Sequence, residues 1–390
     1  MFEADAARDR TSGIQEKYQQ LDLPGHFQVP PSDSDVENVP RPPEGKREET
    51  GAILSRVSSY PRLRYMGSKY RVVPHLVHIF SRLRFETALD PFCGSGVVAY
   101  ALKVMGKQVT ASDYLSYAAT VAHATVENPG VRMSSEDIDL ILSPSADGRD
   151  FIQRTFEGLY FPPDDLAFLD AAWSHIEGLP PYKRSIALSA LCLAAARKQP
   201  RGVFTVVDLR YDDGRRYLRM PLRDLFVESA HAYDAVAFDN GRKNSVACQD
   251  VLEVNPDGFD LVYLDPPYAP PRDDNDYIKR YHFLEGLSVY WRGQRILGHT
   301  LTKKIAKRYT PFAYKHTIRG ALAETFRRFR RSTIVLSYSS NSIPGEREIY
   351  ELLRREKNEV ETHTVAHRYS FGTHSAALRR RAYEYIFVAR

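Results

Sequence analysis

Stretches that alternate between strand and helix character constrain this 390-residue chain more than any other feature of its sequence. Apolar periodicity assigns a strand to FETALD, a helix to SGVVAYALKVMG, a strand to QVTASD and a helix to YLSYAATVAHATVEN. Such a βαβα run folds as parallel strands joined by crossover helices, so it predicts a doubly wound α/β sheet. The rhythm breaks after Asn128. DDLAFLDAAWSHIEGL and RSIALSALCLAAARK read as helices, and FTVVDLRYDDGRRYLRMPL reads as a hairpin turning at Asp213-Gly214. The α/β pattern then resumes with the strands NSVACQD and FDLVYLD, the helix HTIRGALAETFRRFRR and the strand STIVLSYSS. Two late runs, VETHTVAHRYSF and AYEYIFVAR, predict antiparallel pairing at a sheet edge.

These patterns divide the chain. Residues 24–50 combine proline, charge and almost no aliphatic content, and 1–59 is expected to be a disordered leader unable to offset its ordering entropy. Residues 60–130 and 245–390 form the α/β domain, and 131–244 a helical and hairpin insertion. Three cysteines without Cys-x-x-Cys spacing argue against a disulfide framework or a thiolate zinc site and fit a reducing cytoplasm. No apolar run is long enough to span a membrane, and MFEADAARDRTSGIQ lacks the apolar core of a signal peptide. Formal charge is +5, yet the first 50 residues hold 11 acids against 6 bases, so the remainder is distinctly basic and suits a polyanion partner.

Two loops carry the chemistry. Asp90-Pro91-Phe92-Cys93-Gly94-Ser95-Gly96 lies between a strand and a helix, where Gly94 and Gly96 let a ligand approach the backbone and helix amides face it. A lone Gly-x-Gly is common in tight turns; the strand-loop-helix setting favours a nucleotide-type site. Asp113 ends the next strand, where an acid can accept hydrogen bonds from both ribose hydroxyls, or simply cap the following helix. Asp265-Pro266-Pro267-Tyr268 follows the apolar strand FDLVYL and so shares the crevice at the strands' carboxyl ends.

The ordered pair DPFCGSG and DPPY resembles the DNA methyltransferases that modify exocyclic amines, particularly the adenine-specific DNA methyltransferase family. The likeness covers roughly residues 60–390 and is faint over 131–244. It implies a Rossmann-like methyltransferase sheet, S-adenosylmethionine as cofactor and double-stranded DNA as partner, with no metal required. Arg64-Tyr65-Met66-Gly67-Ser68-Lys69 resembles the family's amino-terminal motif, which implies that Tyr65 packs on the cofactor and Lys69 pairs with its carboxylate. Asp250 matches the position that bonds the cofactor's adenine. Asp265 and the Pro266 carbonyl would accept the two amine hydrogens while Tyr268 stacks on the base. Tyr281-His282-Phe283-Leu284-Glu285, Ser337-Tyr338-Ser339-Ser340 and Glu384-Tyr385-Ile386-Phe387 resemble segments of a restriction-associated branch, which leaves a cognate restriction endonuclease open as a partner. The acidic leader is not a family feature. Cytosine-5 methylases use a Pro-Cys pair that is missing here, so Cys93 is read as a loop residue.

The target amine is hidden in a duplex, so the nucleotide must be flipped out and the gap filled or bridged. Residues 131–244 are where such enzymes place target recognition. Arg210, Arg215, Arg216 and Arg219, interleaved with Tyr211 and Tyr217, are one candidate DNA surface, and residues 270–316 are a second, with Arg292, Arg295, Lys303, Lys304, Lys307 and Arg308. Cytosine 4-amino methylation uses the same acceptors, although an opening serine is more typical there. RNA, a protein amide and a catalytically inactive DNA-binding subunit are the other rivals.

Overall fold

The computed structural model describes residues 44–63, 65–205, 212, 214–269, 276–367 and 382–390. Seven strands form one mixed sheet: β1 (Thr87–Asp90), β2 (Gln108–Asp113), β3 (Ser245–Cys248), β4 (Leu261–Leu264), β5 (Thr333–Ser339), β6 (Val360–His367) and β7 (Ala382–Ala389). Their order is β3-β2-β1-β4-β5-β7-β6. The first five are parallel to one another, whereas β7 runs antiparallel between β5 and β6. The sheet is therefore the α/β class expected, with the late runs paired antiparallel. Strand order reverses where β1 meets β4, which opens a crevice beyond their carboxyl ends.

Thirteen helices are described: α1 (Arg47–Ser58), α2 (Val73–Phe80), α3 (Val97–Val104), α4 (Ser116–Ala122), α5 (Ser135–Leu142), α6 (Phe151–Thr155), α7 (Pro163–Ile176), α8 (Pro181–Arg197), α9 (Arg216–Arg219), α10 (Leu222–Val236), α11 (Tyr277–Val289), α12 (Ile318–Arg328) and α13 (Glu346–Arg354). The apolar faces of α1, α2 and α3 pack with strand residues such as Ala88 and Tyr263, and α12 and α13 close a second cluster with Leu89, Val262 and Leu336. Helix α8 is buried along Ile186–Ala196 and forms the centre of the inserted helical layer, beside α7, α10 and α11. That burial explains its Ala- and Leu-rich sequence, apolar nearly all round.

Two expectations need correction. The leader does not extend to residue 59, because Arg47–Ser58 is a helix that buries Ile53 and Val57, one turn apart on a single face. The second arm of the expected 204–222 hairpin is helical at Arg216–Arg219 and again from Leu222, where Pro221 starts the next helix. Residues 206–211 and Asp213, the rest of that expectation, lie outside the described residues, as does Arg210. No helix among the described residues is long and apolar enough to cross a membrane.

Candidate active site

One cavity at the carboxyl ends of β1, β2 and β4 is lined by Tyr65, Gly67, Lys69, Asp90, Phe92, Gly94, Asp113, Asp265 and Pro267, all expected at the site. Met66, Ser95, Tyr114 and Tyr277 complete much of the wall. Gly96, Pro91, Pro266 and Tyr268 stand just behind or beside it on the same loops. Asp250 does not line it; its Oδ1 accepts the Leu252 amide (2.9 Å) in the turn after β3.

The glycine loop is shaped by close approach. Gly94 has φ +50°, and a Cβ there would sit 2.9 Å from the Tyr65 ring; Gly96 has φ +79°, with the Tyr60 hydroxyl 2.5 Å from the same imagined atom. Only glycine suits both the left-handed backbone and the contact. Asp113 reaches across from β2, with Oδ2 accepting the Gly94 amide (2.9 Å) and Oδ1 the Leu115 amide (3.0 Å). It therefore ties the loop to the sheet. Burial pushes its carboxyl up to about 7, against the pull of those amides. Asp90 is 1% exposed and its Oδ1 has no hydrogen-bond partner among the described residues. Burial, then the neighbouring Asp265 charge, holds this acid well above the usual carboxylate range.

Helix α11 secures the Tyr65–Lys69 loop. The Met66 amide donates to the Tyr281 hydroxyl (2.6 Å), and the Tyr277 hydroxyl donates to the Met66 carbonyl (3.1 Å). Tyr65 stacks on Tyr281 with ring centroids 5.2 Å apart and planes 3° from parallel. From the same helix, Glu285 accepts the first amides of α4, Ser116 at 3.1 Å and Tyr117 at 3.2 Å. His282 meets the Phe204 carbonyl at 2.9 Å, and burial holds its imidazole down at about 4, hence neutral. The Tyr281–Glu285 segment thus braces the crevice wall.

At the reactive loop, four side chains from distant parts of the chain form a closed network. Lys69 Nζ donates to Asp265 Oδ1 at 2.6 Å and to the Gly67 carbonyl at 2.8 Å, with Glu384 Oε1 at 3.5 Å. The Tyr268 hydroxyl lies 2.6 Å from Glu384 Oε1 and 3.0 Å from Asp265 Oδ1. Of the three charged side chains, Asp265 keeps 18% of its surface exposed against 4% for Lys69 and 2% for Glu384, so it is the most open of them to the crevice. Burial raises Asp265 to about 6, Lys69 pulls it back down and Glu384 pushes it up. The Lys69 ammonium, expected on a cofactor carboxylate, is placed between two protein carboxylates. Tyr338 fixes the Tyr268 ring edge-on (5.0 Å, 65°).

Glu384 entered the sequence reading only within the Glu384-Tyr385-Ile386-Phe387 resemblance and was given no chemical role there. It lies on β7, opposite Ser339 of β5 in the ladder, and only that pairing delivers it to Tyr268. Burial also pushes the Cys93 thiol well above its usual range, leaving it protonated in the loop.

The basic residues behave differently from one another. Arg215 is 8% exposed, so it is not a surface side chain. Arg216 bonds Glu228 at 2.6 Å and Arg219 bonds Asp212 at 2.8 Å. Lys307 pairs with Asp276 (3.2 Å), and Arg308 donates to the Tyr114 carbonyl (2.5 Å) on the crevice rim. Lys303 Nζ donates to the Gly298 carbonyl at 2.9 Å, Lys304 is half-buried and Arg295 is exposed.

Comparison with known proteins follows the same residues. The chain is 22% identical over 321 residues to the type II methyltransferase M.FokI of Planomicrobium okeanokoites; the match covers 75% of this chain and 47% of that relative, so the chain spans about half the relative's length. Residues 65–352, from the Tyr65 loop to α13, match the model of the D12 class N6 adenine-specific DNA methyltransferases. With both motif loops inside that span, this chain belongs to the D12 class N6 adenine-specific DNA methyltransferase family.

Proposed function

We propose that this protein transfers a methyl group from S-adenosylmethionine to the 6-amino group of adenine in DNA, after flipping the nucleotide into the crevice. The observation that carries the reading is the junction of the Gly94 loop and the Asp265-Pro-Pro-Tyr loop in one cavity, with Asp265 facing it. The residues fit the cofactor: the buried, unpartnered Asp90 Oδ1 offers an acceptor for an ammonium group, and the Gly94 cradle admits a ligand where a Cβ would not fit. Tyr65, Gly67, Phe92 and Asp113 would complete that subsite, with Asp250 in the turn after β3. When bound, S-adenosylmethionine supplies an electrophilic methyl group on a sulfonium.

Everything else falls to the chain. An adenine amine has its lone pair delocalised into the ring and is a poor nucleophile. Asp265 and the Pro266 carbonyl accept its two hydrogens, favouring a pyramidal nitrogen whose lone pair is free to attack. A cofactor held by Asp90 and the Gly94 cradle would supply the methyl to that lone pair and keep the electrons of the broken carbon–sulfur bond on its sulfur. One amine proton must then leave, and Asp265, poised near 6, can take it and pass it to water. Lys69 keeps Asp265 ionised beforehand, while Glu384 and Tyr338 hold the Tyr268 ring for stacking on the base. Residues 131–244 and the segment around Lys303 and Lys304 are proposed to hold the duplex.

The test is expression in cells lacking adenine methylation, followed by single-molecule sequencing of genomic DNA, with Asp265→Ala alongside. Methylated adenine at one recurring sequence, lost in a folded mutant, is expected. Methylated cytosine, or no modified base, would refute the proposal.

A further inference from the structure

Beyond the crevice, one exposed feature is built too firmly to be a slack loop. After α11 the chain forms a hairpin in which Ile296 pairs antiparallel with Ile305. Leu297 and Lys304 close it through an amide-to-carbonyl bond of 2.7 Å, and the Lys304 amide donates to the Thr300 hydroxyl at 3.0 Å. The tip is bolted to the body: the Tyr160 hydroxyl donates to the Thr302 carbonyl at 2.7 Å, and Thr302 itself is buried. Between Thr300 and Thr302 stands Leu301, 90% exposed. It is the most exposed large hydrophobic among the described residues. Leu140 and Tyr350 are less than half exposed and lie on helices, and the Tyr309 ring is already stacked on Tyr314.

The surroundings indicate what this knob meets. Of the six Lys or Arg in residues 292–308, Arg292 and Lys307 pair with Glu177 and Asp276 and Arg308 lies 3.9 Å from Glu285, so Arg295, Lys303 and Lys304 carry the charge complementary to DNA phosphates. The stem returns to the crevice rim, where Arg308 bonds the Tyr114 carbonyl and Lys307 bonds Asp276, the residue before Tyr277. Tyr160, which holds the tip, also lies 3.2 Å from His282, little more than one helical turn along α11 from the cavity-lining Tyr277.

We propose that Leu301 is an apolar wedge that enters the base stack of duplex DNA and fills the space vacated by the flipped adenine. Proteins that open base steps use such apolar side chains, and the unstacking cost is offset by burying the wedge. A pinned tip delivers the leucine without first ordering a loop. The inference rests on base flipping as proposed above, so the experiment separates the two.

Leu301→Ser and Leu301→Phe are compared with the unaltered protein on duplexes carrying the recovered recognition sequence. In one duplex the target adenine is paired with thymine; in the other it faces an abasic site, which removes the pairing to be broken. Leu301→Ser is expected to lose roughly ten- to hundredfold in kcat/KM on the paired duplex, the worth of one buried leucine. On the abasic duplex most of that loss should vanish, Leu301→Phe should retain activity on both, and neither melting temperature should move, because the side chain stands almost wholly in solvent. An equal loss on both duplexes, or none, overturns the wedge. With 2-aminopurine at the target, unaltered protein should raise its fluorescence. No rise refutes flipping itself, and an equal rise with Leu301→Ser refutes the wedge alone.

Discussion

In the proposed reaction Asp265 has two jobs that pull its acidity in opposite directions. As an acceptor it must be ionised, and as a proton sink it must not be too weak a base. Burial and the Glu384 charge lift it to about 6, and Lys69 restrains the rise. Because the ionised form is the active one, kcat/KM should fall as pH drops through about 6. Glu384→Gln removes the like charge and leaves Lys69 to Asp265, so the acidic limb should move to lower pH. A midpoint unchanged in a pH–rate profile of that variant would show that another group titrates. Only part of this was legible in the sequence. Asp265 and Tyr268 were marked by an apolar strand ending in Asp-Pro-Pro-Tyr. Glu384 was marked only by the resemblance of Glu384-Tyr385-Ile386-Phe387, with no role attached: an acid within AYEYIFVA reads like any residue on the solvent face of an edge strand, and its burial depends on β7 lying between two others.

At the scale of elements, α11 acts as the wall that holds loop and helix in register. Glu285 is its anchor to α4, a fully buried carboxylate accepting two amides that α4 cannot satisfy itself. Glu285→Ala should cost roughly 1–2 kcal/mol, read from urea unfolding, as those amides lose their acceptor. A change under about 0.5 kcal/mol would mean that water replaces it. Strands and long helices were the readable elements: QVTASD matches β2 residue for residue, and RSIALSALCLAAARK lies almost wholly within α8. What failed was the reading of RYLRMPL as a hairpin arm. Its alternation fits a strand locally, but Pro221 opens α10 and the preceding residues wind into α9. The leader misled for the opposite reason. Proline and charge up to residue 50 hid the spacing of Ile53 and Val57, which is what seats α1 on the core.

For the whole molecule, charge is distributed by use. Arg216 and Arg219 are engaged by Glu228 and Asp212, so their positive charge is largely neutralised at short range. In the 292–308 segment Arg292 and Lys307 are paired too, with Glu177 and Asp276, whereas Lys303 donates to the uncharged Gly298 carbonyl. Changing Lys303 and Lys304 to glutamate should flatten the log–log dependence of DNA affinity on salt by about two, one for each phosphate that the lysines no longer neutralise. Arg216→Ala should leave that slope where it was. If the two variants behave alike in a salt titration, the duplex does not lie along the hairpin.

The network around Asp265 draws Lys69 from near the start of the described residues and Glu384 from their last strand. During synthesis the lysine leaves the ribosome more than 300 residues before the glutamate. Until β7 slots between β5 and β6, Tyr268 lacks the carboxylate that holds its hydroxyl. Both signature loops can therefore be in place while the network around Asp265 is still open, and insertion of β7 is the step that closes it.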